Sequence, residues 1–357
     1  MDLFQADLQL AAAKHLRWLP SHIGLEGDEV TVEGWALSFW DRPERMRFLI
    51  NGRDAEHVEW PIASPHLLDH FPHVPGAEAA RFRLRHRFTD GAARYPDGFI
   101  RLNVTGPFGE HRKTYGTAWY LSDPAQEQAL PTDGRIVRVI GVADAQSYRL
   151  GGATIAKRFE ALMQDRFERS LASFKAVLDW GCGAGRLTRY LVRLSSAVTG
   201  VDIDADNIAG CAEMIKGAHF STVPLMPPTA FEDGQFDLVV GLSVLTHLDE
   251  AAQDVWLAEL RRIVMPGGLL LLSIQGMAQM VLYRDTAETQ KAIQAAGFYY
   301  TGQNAQLEGF IPDPSYYKNI SHSHDYIAAH WAQFFEVLDI IPAIAGNQDL
   351  VVLRRPA

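Results

Sequence analysis

Residues 177–191, VLDWGCGAGRLTRYL, gather the residue types that can hold a nucleotide-like cofactor. A short apolar run with the character of a buried strand leads into glycines at 181, 183 and 185, and a helical pattern carrying Leu187, Tyr190 and Leu191 follows. Glycine adopts backbone conformations closed to residues with a Cβ and lets a ligand pack against bare backbone. A dinucleotide loop of the GxGxxG kind wants a small residue at its last position, but Arg186 stands there and the acid Asp179 precedes the first glycine, so NAD fits poorly. A second acid, Asp202, ends the next apolar run, VTGVDI, where a carboxylate can accept from both hydroxyls of a ribose. Cys182, flanked by glycines, reads as a residue chosen for small size rather than as a nucleophile. Asp202, Asp204 and Asp206 alternate as in a calcium loop but lack its glycine and closing glutamate, so no metal is expected.

These blocks resemble the class I S-adenosylmethionine-dependent methyltransferases, whose first motif is a hydrophobic strand, an acid and GxGxG. The resemblance covers residues 150–355 and includes FDLVVGLSVLTHLDE (236–250), similar to that family's fourth strand and following loop, and LRRIVMPGGLLLLS (260–273), similar to its fifth helix, PGG turn and fifth strand. It implies S-adenosylmethionine as cofactor, with Asp179 meeting the amino group of the methionine part, Asp202 the ribose and Ile203 the adenine. Gly181, Cys182, Gly183, Gly185, Arg186 and Ser243 are the remaining expected cofactor contacts. The family's third motif often carries an acid for the adenine amino group, but HFSTVPLMPP has none, which leaves backbone groups or Ser221 and Thr222 for that contact.

Methyl transfer from a sulfonium is an in-line displacement in which alignment in a dry site supplies much of the acceleration. A hydroxyl acceptor keeps its proton at neutral pH, so a base within reach would help, and histidine is the usual choice. His247, just after the fourth strand, is the leading candidate; a structural histidine bonded to a backbone carbonyl is its alternative. His322 and His324 compete with it. They lie in a segment, 276–330, that is rich in aromatic, glycine and polar residues and reads as a lid over the acceptor, with Tyr316, Tyr317 and Lys318 suited to a polar, hydroxylated substrate.

The elements that must hold these residues alternate strand and helix: VTGVDI, FDLVVGL, LLLLSI, FFEVLDII and DLVVLRR follow AVLDW. That is the pattern of an open, mostly parallel, doubly wound α/β sheet, which the resemblance makes seven-stranded with DLVVLRR as its antiparallel last strand. Residues 28–120 instead show short alternating segments with turns between them, the texture of a small all-β sandwich. Asn51-Gly52 after RMRFLI signals a hairpin whose return strand includes HVEW. In RFRLRHRF, Phe82, Leu84, His86 and Phe88 share one face, and Arg81, Arg83, Arg85 and Arg87 form a stripe that reads either as a solvated face or as a seat for an anionic saccharide. With a linker near 121–134, the expected domains are a sandwich over 1–125 and a methyltransferase domain over 126–357. VEGWALS resembles β-sandwich modules of bacterial saccharide-modifying enzymes.

A net charge of −10 speaks against nucleic-acid binding, and only two cysteines, Cys182 and Cys211, fit a reducing compartment. No apolar run nears the ~20 residues that span a bilayer, and the start of the chain does not resemble a signal peptide, so a cytoplasmic protein without a transmembrane segment is expected. The expected function is O-methylation of a glycan or cell-surface glycoconjugate precursor. A small-molecule biosynthetic methyltransferase and a glycan-binding scaffold that has lost its chemistry are the alternatives. Homo-oligomerisation is left open.

Overall fold

The computed structural model describes residues 16–38, 45–72, 74–91, 94–106, 117–195, 197–276, 279–280, 287–303 and 317–357. The chain forms two compact units, one of Met1–Glu127 with Met280–Ala287 and the other of Gln128–Gln279 with Glu288–Ala357.

The first unit holds two four-stranded antiparallel sheets. One has β1 (Leu16–Glu26), β2 (Glu29–Ser38), β6 (Arg81–Arg87) and β5 (His57–Ile62) in that order; the other has β4 (Arg53–Asp54), β3 (Arg47–Ile50), β7 (Phe99–Thr105) and β8 (Trp119–Ser122). Alternation supplies the apolar faces. Phe82 of the first sheet meets Phe48 of the second with ring centroids 4.7 Å apart. Asn51 (φ 49°) and Gly52 (φ 80°) make the tight turn, and the Asn51 side chain accepts from the Arg101 amide at 2.8 Å. The return strand is only Arg53–Asp54; HVEW corrects the expectation by crossing to the other sheet, where it pairs with β6. Of the two readings of the arginine stripe, the solvated face is the one the pairing favours. Arg83 lies 2.8 Å from Glu33 and 3.3 Å from Glu59, and Arg81, Arg85 and Arg87 pair with Glu33, Glu29 and Asp28. Acids on the neighbouring strands neutralise the field that an anion would need.

The second unit is built on a seven-stranded sheet. Its order is β11 (Ala218–Thr222), β10 (Val198–Asp202), β9 (Val177–Trp180), β12 (Phe236–Gly241), β13 (Val264–Ile274), β17 (Gln348–Arg354) and β16 (Glu336–Ala345). β17 runs antiparallel to both neighbours, as DLVVLRR should, and the other pairs are parallel. β9 and β12 are buried along their whole length because helices cover both faces of such a sheet, which is why they read as unbroken apolar runs. Leu178, Val239, Leu270 and Val351 of the sheet pack with Leu257 and Leu260 of a helix, Glu250–Ile263, and with Trp331. Among the described residues no helix is long and apolar enough to cross a membrane.

Candidate active site

β9 and β10 deliver two acids to the same end of the sheet, and a glycine loop lies between them. The amides of Gly181 and Cys182 both donate to the Val201 carbonyl, at 2.8 and 2.9 Å, which fastens the loop to β10. Gly181, Gly183 and Gly185 all have positive φ, at 72°, 55° and 79°. A Cβ on Gly181 would overlap the Val244 side chain and one on Gly185 the Ile215 side chain, so both glycines are demanded twice, by backbone conformation and by close packing.

Asp179 is buried, and Thr188 Oγ1 donates to its Oδ2 at 2.5 Å. Burial, with the Asp202 charge adding to it, raises its carboxyl from 3.8 to about 7. Asp202 accepts from the Gly183 amide at 2.8 Å and the Asp204 amide at 2.9 Å, and burial raises its pKa as well. Arg186 is pulled below the ordinary guanidinium range by burial, and none of the described side chains forms a hydrogen bond or ion pair with it. A desolvated cation beside the glycine loop is matched to a carboxylate, as a desolvated acid is to an ammonium. Ile203 is partly buried against the sheet's core, and Ser221 and Thr222 are exposed at the end of β11, beside Asp202.

Cys182 is buried, and both its Sγ and that of Cys211 sit against the Gly183 carbonyl, at 3.7 and 3.4 Å. The neighbouring Cys211 thiol, followed by burial, pushes the Cys182 thiol up, which suits a space-filling role. Asp204 caps the following helix α4 (Ala205–Met214) through the amides of Asp206 and Asn207, while Asp206 pairs with Arg135 at 2.7 Å and with Arg138 at 2.5 Å. These acids already have partners of their own.

The loop after β12 faces the strands on the other side of β9. Ser243 has φ 60°, uncommon for a residue with a Cβ; its amide donates to Ser273 Oγ at 2.8 Å and its hydroxyl to Gln348 Oε1 at 3.1 Å. His247 Nδ1 lies 3.0 Å from the Lys318 carbonyl; a carbonyl only accepts, so the proton is on Nδ1 and the lone pair on Nε2. Tyr317 stacks on the ring at 4.3 Å, and burial lowers its pKa to about 4.

Of the expected lid, β14 (Phe298–Gln303) and β15 (Lys318–His322) form an antiparallel pair, while Tyr316 lies outside the described residues. β15 is tied to the sheet edge by its backbone: the amides of Lys318 and Ile320 donate to His247 and Thr246, and that of His322 to Gln275. His322 itself is a correction. It is 0% exposed, ringed by Phe298 and Trp331, and burial drives it to about 3. Gln253 spends its amide hydrogens on the Leu245 and Leu248 carbonyls, so its Oε1 is left to accept from His322 Nε2 at 3.1 Å. His322 is a core residue pinning a loop, with no face toward an acceptor. His324 is placed differently, 2.8 Å from the carboxylate of Asp349.

Several contributors escaped the sequence reading. Tyr148, on the long helix α2 (Ala145–Phe167), donates from its hydroxyl to the Ala184 carbonyl in the glycine loop at 2.8 Å. Gly152 of the same helix leaves room for the Arg186 carbonyl and Tyr190. A short helix α1 (Asp133–Ile140) brings Val139 over Gly183. Their signal is a partner tens of residues away, which no local motif carries.

The glycine loop and its flanking acids lie inside a stretch that matches a known family. Residues 178–272 match the methyltransferase domain family. The second unit thus has the Rossmann-like fold of class I methyltransferases, and the cofactor that goes with this domain is S-adenosylmethionine. The residues present fit it: a loop whose three glycines leave its backbone bare, a buried acid for an ammonium, a buried cation for a carboxylate and an acid at the ribose position. Over 119 residues the chain is 32% identical to a ubiquinone biosynthesis O-methyltransferase of Bradyrhizobium sp. (strain ORS 278), covering 30% of this chain and 45% of that one. Over 122 residues it is 29% identical to a chloroplastic tocopherol O-methyltransferase of Arabidopsis thaliana, covering 32% and 33%. The match spans less than half the length of either relative. Among solved structures, a Burkholderia thailandensis 1,6-didemethyltoxoflavin-N1-methyltransferase aligns at 16% identity and a TM-score of 0.41, covering 76% of this chain and 99% of that one.

A first consequence concerns Arg186. Replacing it with methionine keeps much of the stem but removes the desolvated cation beside the glycine loop that would meet the carboxylate of S-adenosylhomocysteine. Dissociation constants from calorimetry should rise by about tenfold to a hundredfold, the usual cost of a charge-assisted hydrogen bond. An unchanged constant would remove Arg186 from the cofactor site.

Proposed function

We propose that this chain is an S-adenosylmethionine-dependent methyltransferase that methylates a hydroxyl oxygen of a small biosynthetic molecule. The observation that carries the reading is that Asp179, Asp202 and Arg186, all desolvated, surround a loop whose three glycines all take positive φ. The cofactor supplies a methyl group already activated by a sulfonium. The chain's part is to bind and align: the acids and Arg186 hold the donor by its two ends, and the loop of Ser243–His247 forms the wall toward the acceptor. Because displacement needs a linear approach, this positioning is where most of the acceleration would arise. Oxygen as the acceptor atom is supported by the names of the two curated relatives, both O-methyltransferases. The β-sandwich unit keeps a saccharide hydroxyl among the acceptors to be tried, although its arginine stripe, already paired with acids, no longer argues for an anionic one.

The test is calorimetric titration with S-adenosylhomocysteine and, separately, NAD, followed by transfer of labelled methyl to catechols, phenols and sugars. Binding of S-adenosylhomocysteine alone, with label on oxygen, is the expected result. Silence toward both ligands would make the chain a scaffold that keeps the fold without the chemistry.

A further inference from the structure

Transfer to a hydroxyl leaves a proton that must go somewhere, and the carboxyl edge of β12, β13 and β17 offers a place for it. We infer that His324 is the base that takes the acceptor's proton and that Asp349 is the residue that positions it; the inference rests on the methyltransferase reading above.

Asp349 is the second residue of β17, opposite Ile274 at the end of β13, and it is 0% exposed. Its Oδ1 accepts from the Ala343 amide at 3.0 Å and its Oδ2 faces His324 Nε2 at 2.8 Å. A Cβ on Gly276, two residues beyond β13, would overlap that carboxylate, so the chain keeps a glycine where the acid comes through. His324 opens helix α7 (His324–His330), and its side chain is 26% exposed. A buried carboxylate thus stands behind a ring that is still reachable. Beside Asp349 along β17, Gln348, whose side chain leaves the opposite face of the strand, accepts at Oε1 from Ser273 (2.6 Å) and Ser243 (3.1 Å), so the strand that carries Asp349 is also tied to the loop after β12.

Chemistry follows from the hydrogen bond. An ionised carboxylate only accepts, so Nε2 of His324 carries the proton and Nδ1 the lone pair. As the acceptor oxygen bonds to the methyl carbon, the carbon–sulfur bond breaks with its electron pair left on sulfur, and the hydroxyl proton moves to His324 Nδ1. The imidazolium is then paired with Asp349 until solvent removes the proton. Among the described residues no other histidine near the sheet edge has this arrangement. His247 is oriented by a neutral carbonyl, which stabilises an imidazolium less, and His322 is sealed in the core. His330 also meets a carboxylate, Asp254 at 2.7 Å, but that acid is 40% exposed and lies on the helix Glu250–Ile263 rather than on a strand of the sheet.

The experiment uses the full chain, His324→Ala and Asp349→Asn, with S-adenosylhomocysteine binding read first. Nitrogen-15 NMR of the imidazoles, which needs no acceptor, should show His324 in the Nε2–H tautomer and a change of tautomer in Asp349→Asn. With a catechol that the wild type methylates, His324→Ala should lower kcat by about a hundredfold or more, with acceptor KM and donor affinity kept, and added imidazole should restore part of the rate. Asp349→Asn should lower kcat in the same direction without rescue by imidazole. An Nδ1–H tautomer in the wild type, or turnover of His324→Ala close to wild type, would overturn the inference while leaving methyl transfer standing. Failure of the wild type to bind S-adenosylhomocysteine would overturn both. Should Asp349→Asn fail to fold, the wild-type tautomer and His324→Ala still decide.

Discussion

Asparagine in place of Asp179 should make the chain more stable near neutral pH and at the same time cost it about a hundredfold in affinity for S-adenosylhomocysteine. The two effects have one cause. A carboxyl raised from 3.8 to about 7 is one whose ionised form the fold disfavours. The unfolded chain releases this proton near 3.8 and the folded chain near 7, so in between the unfolded state binds fewer protons and stability falls as pH rises. The loss is about 1.4 kcal/mol per pH unit, or roughly 4 kcal/mol once both states have ionised. Asparagine keeps an oxygen for the Thr188 hydroxyl but carries no charge, so its stability should lack this slope. Urea unfolding of both forms between pH 4 and 8 checks it: the curves should agree near pH 4 and separate toward pH 7, with the variant above.

Binding has the opposite sign. An ammonium beside Asp179 favours the carboxylate, so below about pH 7 the ligand must drive a proton off before it can be held. Wild-type affinity should therefore strengthen as pH rises and level off above 7, whereas the asparagine variant should show weak binding without that dependence. Parallel pH dependences in the two proteins would separate Asp179 from the methionine ammonium. An acid held at a cost to the fold is one that a bound cation would relieve.

What could be read in the residues beforehand was what neighbours in the chain decide. The strand–glycine–helix run at 177–191, the acid closing VTGVDI and the buried strands each announce themselves within a dozen residues, and they assemble into the seven-stranded sheet with an antiparallel last strand that the family resemblance implies. The hairpin turn at Asn51-Gly52 was equally local, but where the chain went after Arg53–Asp54 depended on which sheet had a free edge, and HVEW was misplaced. The histidines show the limit most sharply. His322 and His324 are two residues apart, and in one continuous strand they would share a face. Ser323 ends that periodicity by capping α7, so His322 closes β15 inside the core while His324 turns out to meet Asp349, 25 residues on. Tyr148, 36 residues before its partner Ala184, and Arg135, 71 before Asp206, were hidden for the same reason. Charge could be counted on the arginine stripe, but its cancellation by Glu29, Glu33 and Glu59 required knowing which strands lie side by side.

Gly181→Ala is the other substitution with a large expected effect, because it acts on donor and acceptor sides together. At φ 72° an L-residue costs about 1 to 2 kcal/mol. The added methyl would also overlap Val244 Cγ2, and overpacking of that kind costs about 1 to 3 kcal/mol. Together they predict a loss of about 2 to 5 kcal/mol in unfolding free energy. Val244 follows Ser243, whose positive φ and bonds to Ser273 and Gln348 leave the backbone there little freedom. The strain should then appear as weakened S-adenosylhomocysteine binding and as lowered turnover beyond what binding explains. Pairing it with Val244→Ala separates the causes. If the contact matters, the double variant should regain the steric part of the stability and turnover and keep only the backbone penalty, a non-additivity expected of residues that touch. Strictly additive losses would mean that the glycine is there for its backbone alone, and that the loop holding the cofactor and the loop facing the acceptor are set independently.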